Sequence, residues 1–160
     1  MRKDSEFIVR LPLGPESLAP TSMAAIDARS TPTQSPRPLR VLMVDDNVDT
    51  VQSFSVLLRE LGHEVETAHD GPEAVRAAIE YQPDVVLLDI GLPGLNGYEV
   101  AKQIRRQPVL RNATLVALTG YGQESDQQAS IEAGFNHHLI KPARLVQLQQ
   151  ILTSVSETLQ

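Results

Sequence analysis

Apolar residues fill every position of Val41-Leu42-Met43-Val44 and again of Val85-Val86-Leu87-Leu88. A strand with one wet side alternates, so unbroken runs of this length suit strands buried on both faces, as parallel strands between two helix layers are. Thr114-Leu115-Val116-Ala117-Leu118 and His138-Leu139-Ile140 read as further strands, whereas Glu64-Val65-Glu66-Thr67-Ala68 alternates and suits a sheet edge. The segments between them have helical spacing. Val51, Phe54, Leu58 and Leu61 fall at i, i+3, i+7 and i+10, and Leu145, Leu148, Leu152, Val155 and Leu159 keep a similar stripe. Gly62 and Gly134 stand where helices should stop, and Pro72 suits a first helical turn. Five strands alternating with five helices make an α/β doubly wound sheet, with right-handed crossovers limiting its topologies.

Such sheets bind ligands beyond the carboxyl ends of their strands, at the switch point. The residues there are Asp45 and Asp46 after the first strand, Asp89 after the third, Thr119 after the fourth and Lys141 after the fifth. In the commoner flavodoxin-like order, 2-1-3-4-5, the first and third strands are neighbours, which brings the three aspartates together despite their separation in sequence. Crowded carboxylates repel unless a positive charge lies among them or one takes up a proton. Mg²⁺, a hard cation with oxygen ligands, resolves the repulsion. The Lys141 ammonium adds positive charge and the Thr119 hydroxyl a hydrogen bond. Together these parts are what a transferring phosphoryl group needs. Taken singly they have blander readings: Asp46 or Asn47 can simply cap the next helix, and a lone lysine is usually solvated.

Hydrophobic content of 41% and charged content of 21% allow a real core. The chain has no cysteine, which excludes disulfides, thiolate catalysis and cysteine-based zinc sites and fits a reducing compartment. No apolar run is long enough to span a bilayer and none follows the start as a signal peptide would, so the expected location is cytoplasmic, without membrane contact by this fragment, a membrane-anchored parent protein being left open. Residues 1–40 hold six Lys/Arg against four Asp/Glu, while residues 41–160 hold eight against sixteen. An acidic domain repels phosphate backbones, which argues against nucleic-acid binding. Six of the eleven prolines precede Arg40 in a stretch rich in Ser, Thr, Pro and Ala, which is linker composition.

The segments Val44-Asp45-Asp46-Asn47, Leu87-Leu88-Asp89-Ile90-Gly91-Leu92-Pro93-Gly94-Leu95-Asn96-Gly97-Tyr98, Ala117-Leu118-Thr119-Gly120 and Leu139-Ile140-Lys141-Pro142 resemble the four signatures of the two-component response-regulator receiver family. The resemblance covers residues 39–160 and implies a flavodoxin-like (βα)5 sandwich with a five-stranded parallel sheet. It implies that Asp89 is the phosphoacceptor, served by a histidine kinase or a histidine phosphotransfer domain. Asp46, Asp89 and the Gly91 carbonyl would bind Mg²⁺ directly, and Asp45 mainly through a water. Thr119 and Lys141 would contact the phosphoryl oxygens, while Pro93 and Gly97 shape the loop. A cis Lys141–Pro142 bond is also implied. The family's switch position, usually Tyr or Phe, is His138 here. If Thr119 moves toward a phosphoryl group, His138 would swing inward and alter the face of the fourth helix, fifth strand and fifth helix, around residues 123–134 and 138–150, where a dimer could also form. Gly91 and Tyr121 flank the crevice and would otherwise affect only phosphate lifetime. His137 beside His138 suggests a metal pair, but strand neighbours point to opposite faces.

Ser5-Glu6-Phe7-Ile8-Val9-Arg10-Leu11-Pro12-Leu13 reads as one short strand and resembles the last strand of a histidine-kinase ATP-binding domain. On that reading residues 1–13 are a kinase remnant, 14–38 a flexible linker and 39–160 the receiver of a hybrid sensor kinase; the other readings are a native tail on a stand-alone regulator and a receiver-like interaction module that is not phosphorylated. A haloacid-dehalogenase-like phosphatase would need an Asp-x-Asp arrangement, which Asp45-Asp46-Asn47 lacks. The last predicted helix runs to the end of the sequence, so no DNA-binding output domain is expected after Gln160.

Overall fold

The structure, a computed structural model, describes residues 37–120 and 124–159, with the side chains of residues 124–126 excepted. The expectations for residues 1–36, Tyr121 and Gln123 lie outside it. From Arg37 onward the elements are β1 (Arg40–Val44), α1 (Val48–Glu60), β2 (Glu64–Ala68), α2 (Gly71–Tyr81) and β3 (Val85–Asp89). They continue as α3 (Gly97–Arg105), a 3₁₀ turn (Pro108–Leu110), β4 (Thr114–Thr119), α4 (Glu124–Ala133), β5 (His137–Ile140) and α5 (Leu145–Thr158). Every strand pair is parallel and the sheet order is β2-β1-β3-β4-β5, the flavodoxin-like order.

The unbroken apolar runs form the middle of this sheet, and period two sends their side chains alternately to two cores. Leu42, Val44, Val86, Leu88, Leu115 and Ala117 pack with Ala74 and Ala78 of α2 and Val100 and Ile104 of α3. Val41, Met43, Val85, Leu87, Val116 and Leu118 pack on the other face with Val51 and Leu58 of α1 and Leu148, Ile151 and Leu152 of α5. The alternating β2 is an edge, with Glu64 and Glu66 exposed. The helical stripes bury their centres but not their ends. Leu145 and Leu159, the first residue of α5 and its C-cap, stay about two-fifths exposed, at 40% and 39%.

Local chemistry sets the boundaries. Asn47 caps α1 by accepting from the Asp49 and Thr50 N–H groups, so of the two capping candidates it is Asn47 that acts. Asp70 and Asn96 cap α2 and α3, and Pro72 lies in the first turn of α2. Gly62 and Gly134 follow their helices at φ +94° and +102°, which L side chains rarely adopt. Gly134 is also pressed by Arg105, whose Nε donates to its carbonyl (2.9 Å) while Nη1 donates to Ala113 O (2.8 Å) and Nη2 to Asn136 Oδ1 (2.6 Å). This one side chain of α3 fixes the turn that launches β5.

At the opposite end from the strand-end aspartates, the Leu39 N–H donates to His63 Nδ1 (3.1 Å), and burial pushes the His63 imidazole below its ordinary value. A lowered histidine value means that the unfolded chain takes up a proton first as pH falls. Its contribution to stability is therefore present above the ordinary histidine value of about 6.5 and is lost as pH drops through the lower folded value. His63→Asn keeps an acceptor near the place of Nδ1 without titrating. Denaturant midpoints measured from pH 7.5 downward should fall more steeply for wild type than for this variant; parallel curves would remove His63 from the account.

Candidate functional site

Because β1 and β3 are neighbours in register, with Val44 opposite Leu88, the chain leaves both strands at the same edge of the sheet. Asp45 and Asp89 are nonetheless buried there, at 1% and 6% exposure, while Asp46 is exposed. One oxygen from each of the three carboxylates lies within 4.8 Å of the others.

Lys141 answers this charge. It follows β5, whose last residue Ile140 pairs with Thr119, and its own N–H donates to Thr119 O (2.6 Å). Its Nζ reaches Asp45 Oδ2 at 2.9 Å and Asp89 Oδ1 at 3.2 Å. Burial opposes the ammonium's charge, but the hydrogen bond to Asp45 and the charge of Asp89 outweigh it and hold Lys141 above its ordinary value. Removing one partner of a buried ion pair typically costs about 3–5 kcal/mol, because the other is left uncompensated. The Lys141–Pro142 bond is cis.

Backbone donors complete the aspartates' surroundings. The Asn47 N–H donates to Asp45 Oδ1 (2.9 Å) and the Gly91 N–H to Asp89 Oδ1 (3.1 Å). The loop after Asp89 returns tightly: the Gly97 N–H donates to Ile90 O, and a Cβ on Gly97 would stand 2.6 Å from the Asp89 carbonyl oxygen. No side chain fits that space, so α3 can begin directly under the loop after Asp89 only with glycine.

Thr119 closes β4 at the same edge and is 5% exposed. Its Oγ1 lies 3.1 Å from His138 Nε2, and His138 Nδ1 lies 3.3 Å from Ser130 Oγ on α4. The expected inward swing of His138 is not needed for contact, since the ring already stands against Thr119, gripped by a hydroxyl at each nitrogen. His137 and His138 point to opposite faces: His137 is exposed while His138 turns toward α4, so they form no metal pair. The structure thus gathers Asp45, Asp46, Asp89, Gly91 and Lys141 into one crevice and sets Thr119 and His138 beside it. Sequence reasoning missed Ser130 and His69, whose Nδ1 lies 3.3 Å from the Asp45 carbonyl. Neither carries a local signal, and only the packing of α4 and of the β2–α2 loop brings them in.

Comparison with known proteins agrees with this arrangement. Residues 41–153 match the family model for the response regulator receiver domain. The transcriptional regulatory protein PrrA of Mycobacterium bovis is 39% identical over 109 residues, covering 68% of this chain but 46% of PrrA, so the chain spans less than half of that relative. The sensor protein GacS of Pseudomonas syringae is 33% identical over 131 residues, covering 80% of this chain and 14% of GacS. Among solved structures, the chemotaxis protein CheY4 of Vibrio cholerae superposes with a TM-score of 0.70 at 32% identity, over 74% of this chain and 98% of CheY4. The receiver domain of the sensor histidine kinase PA1611 of Pseudomonas aeruginosa, solved with a magnesium ion in its active-site cleft, gives 0.69 at 34%, over 75% and 98%. Fold, strand-end chemistry and relatives lead to one conclusion: this chain belongs to the response regulator receiver family of two-component signalling.

Proposed function

We propose that Asp89 accepts a phosphoryl group from a phosphohistidine of a histidine kinase or phosphotransfer domain, with Mg²⁺ bound at Asp46, Asp89 and the Gly91 carbonyl and with Asp45 acting mainly through a water. The observation that carries this reading is the Lys141 ammonium between two buried carboxylates with a third, exposed one beside them. Three carboxylates against one ammonium leave a surplus of two negative charges at a crevice of hard oxygen donors, which fits a hard divalent cation better than a soft metal. When bound, Mg²⁺ supplies charge neutralisation for the transferring oxygens.

The chain's own groups do the rest. Asp89 Oδ1 accepts from Lys141 and the Gly91 N–H, whereas Oδ2 has no such partner among the described residues, so Oδ2 is the oxygen placed to attack phosphorus. The O–P bond forms as the P–N bond to the donor imidazole breaks, its electron pair staying on nitrogen. Lys141 and the Thr119 hydroxyl then turn toward the phosphoryl oxygens, compensating the roughly 1.5–2 negative charges that arrive. The loop tied back by Gly97 holds Asp89 in place meanwhile. No described helix is long and apolar enough to cross a membrane.

The partner side of the proposal is the α4–β5–α5 face, where Ile131, Ile140 and Val146 are exposed at 66%, 48% and 63%. That face is where a partner or a second copy would sense the phosphoryl group. The hybrid-kinase origin is supported by the likeness to GacS, which extends over more of this chain than the likeness to PrrA. On that reading residues 1–13 are the remnant of a kinase ATP-binding domain, and a native tail on a stand-alone regulator is the alternative.

Incubated with acetyl phosphate and Mg²⁺, the wild-type chain should gain one phosphoryl group by mass spectrometry and Asp89→Asn none, because a neutral amide is a poor nucleophile. Equal labelling of both would defeat the assignment. Titration of Mg²⁺ followed on the Gly91 amide separates the other two aspartates. Asp45→Ala should weaken binding about tenfold, as loss of an outer partner does, and Asp46→Ala by more, since a direct ligand goes. The reverse ranking would exchange their roles.

A further inference from the structure

His138 is held at both ring nitrogens, Nε2 by the Thr119 hydroxyl of β4 and Nδ1 by the Ser130 hydroxyl of α4. Period two explains the placement: Leu139 belongs to the core under α5, so His138 faces the other layer, where Ser130 lies. In the β4–β5 register His138 sits opposite Ala117, with Thr119 one step up on the same face. Thr119 and Ser130 are 5% and 2% exposed, so neither hydroxyl exchanges this contact for water without cost. A neutral imidazole carries one N–H and one bare nitrogen, donating at one end only and accepting at the other. The two contacts are therefore tied: the polarity of one fixes the polarity of the other.

We propose that His138 is a positioning residue that couples the Thr119 hydroxyl to α4 through the choice of its tautomer. The inference rests on the reading of Asp89 as phosphoacceptor. A serine within a helix can donate back to the carbonyl four residues earlier, which leaves its oxygen to accept. Ser130 then accepts from Nδ1–H, and the bare Nε2 accepts a hydrogen bond that the Thr119 hydroxyl donates. An anionic phosphoryl group on Asp89 draws the Thr119 hydroxyl proton toward itself, and the Thr119 oxygen now faces Nε2 as an acceptor. The ring answers by carrying its proton on Nε2. One proton leaves Nδ1 to solvent and one arrives at Nε2, so the net charge of the ring does not change. The bare Nδ1 then requires Ser130 either to donate to it, abandoning its helix carbonyl, or to lose the contact, and in both cases α4 is altered at Ser130. A phenylalanine ring at position 138 has no nitrogen through which to pass this reversal, and so the device belongs to this chain's departure from Tyr or Phe at that position.

The test uses the full chain with ¹⁵N-labelled histidine, with and without Mg²⁺ and beryllofluoride. Imidazole ¹⁵N shifts and two-bond couplings report the tautomer, and the ¹⁹F signal of bound beryllofluoride reports loading of Asp89. The Nδ1–H form should dominate without beryllofluoride and the Nε2–H form with it, while Ser130→Ala should keep the change in the ring but largely lose the beryllofluoride-driven amide shifts at residues 129–134. Bound ¹⁹F signal with an unchanged tautomer, or with both nitrogens protonated, would overturn the coupling and leave the phosphoacceptor reading standing. Undiminished α4 shifts in Ser130→Ala would do the same. Absence of any bound ¹⁹F signal would overturn both.

Discussion

Two carboxylates almost without solvent, Asp45 and Asp89, end adjacent strands of this domain, and the ammonium of Lys141 reaches both. Carboxylates so placed would repel each other strongly in a medium of low dielectric. Lys141 makes the crowding tolerable, and it does so from the far end of the sequence, so the site exists only when β1, β3 and β5 have all taken their places. The exposed Asp46 adds a third negative charge and leaves the crevice short of two positive ones. The domain is assembled around an electrostatic deficit, and that deficit is the physical basis on which a divalent cation is proposed to bind.

The surrounding fold keeps the deficit in place. Parallel strands buried on both faces supply two cores, and the same alternation that builds them orients the residues at the strand ends. Asn47 serves twice, capping α1 with its side chain and donating its N–H to Asp45. Gly97 lets α3 begin against the backbone of Asp89 and Ile90, where any side chain would collide. Arg105 locks the turn that launches β5 and hence the approach of Lys141. Each device is local, yet each bears on the separation of the same few oxygens.

His138 links this charged end to a helix. A packed carbon ring would respond to Thr119 by moving; an imidazole bonded at both nitrogens can respond by reversing its hydrogen bonds while it stays in place. The α4 helix it touches also carries the exposed Ile131.

The sequence by itself determined the sheet and the strand-end crevice. Unbroken apolar runs state that Val41–Val44 and Val85–Leu88 are interior strands, and the alternation of Glu64–Ala68 states that it is an edge, because a strand's period reports which of its faces are wet. Asp45, Asp46, Asp89, Thr119 and Lys141 were legible because a doubly wound sheet brings strand ends together whatever the details of packing. Only the tertiary structure decided that Asn47 is the cap, that Leu145 and Leu159 stay exposed at the ends of their stripe, and that His138 already rests between Thr119 and Ser130. Periodicity carries the direction of a side chain relative to its own strand. It does not carry the identity of the atom that a neighbouring helix, placed by contacts spread over the whole core, will set opposite it.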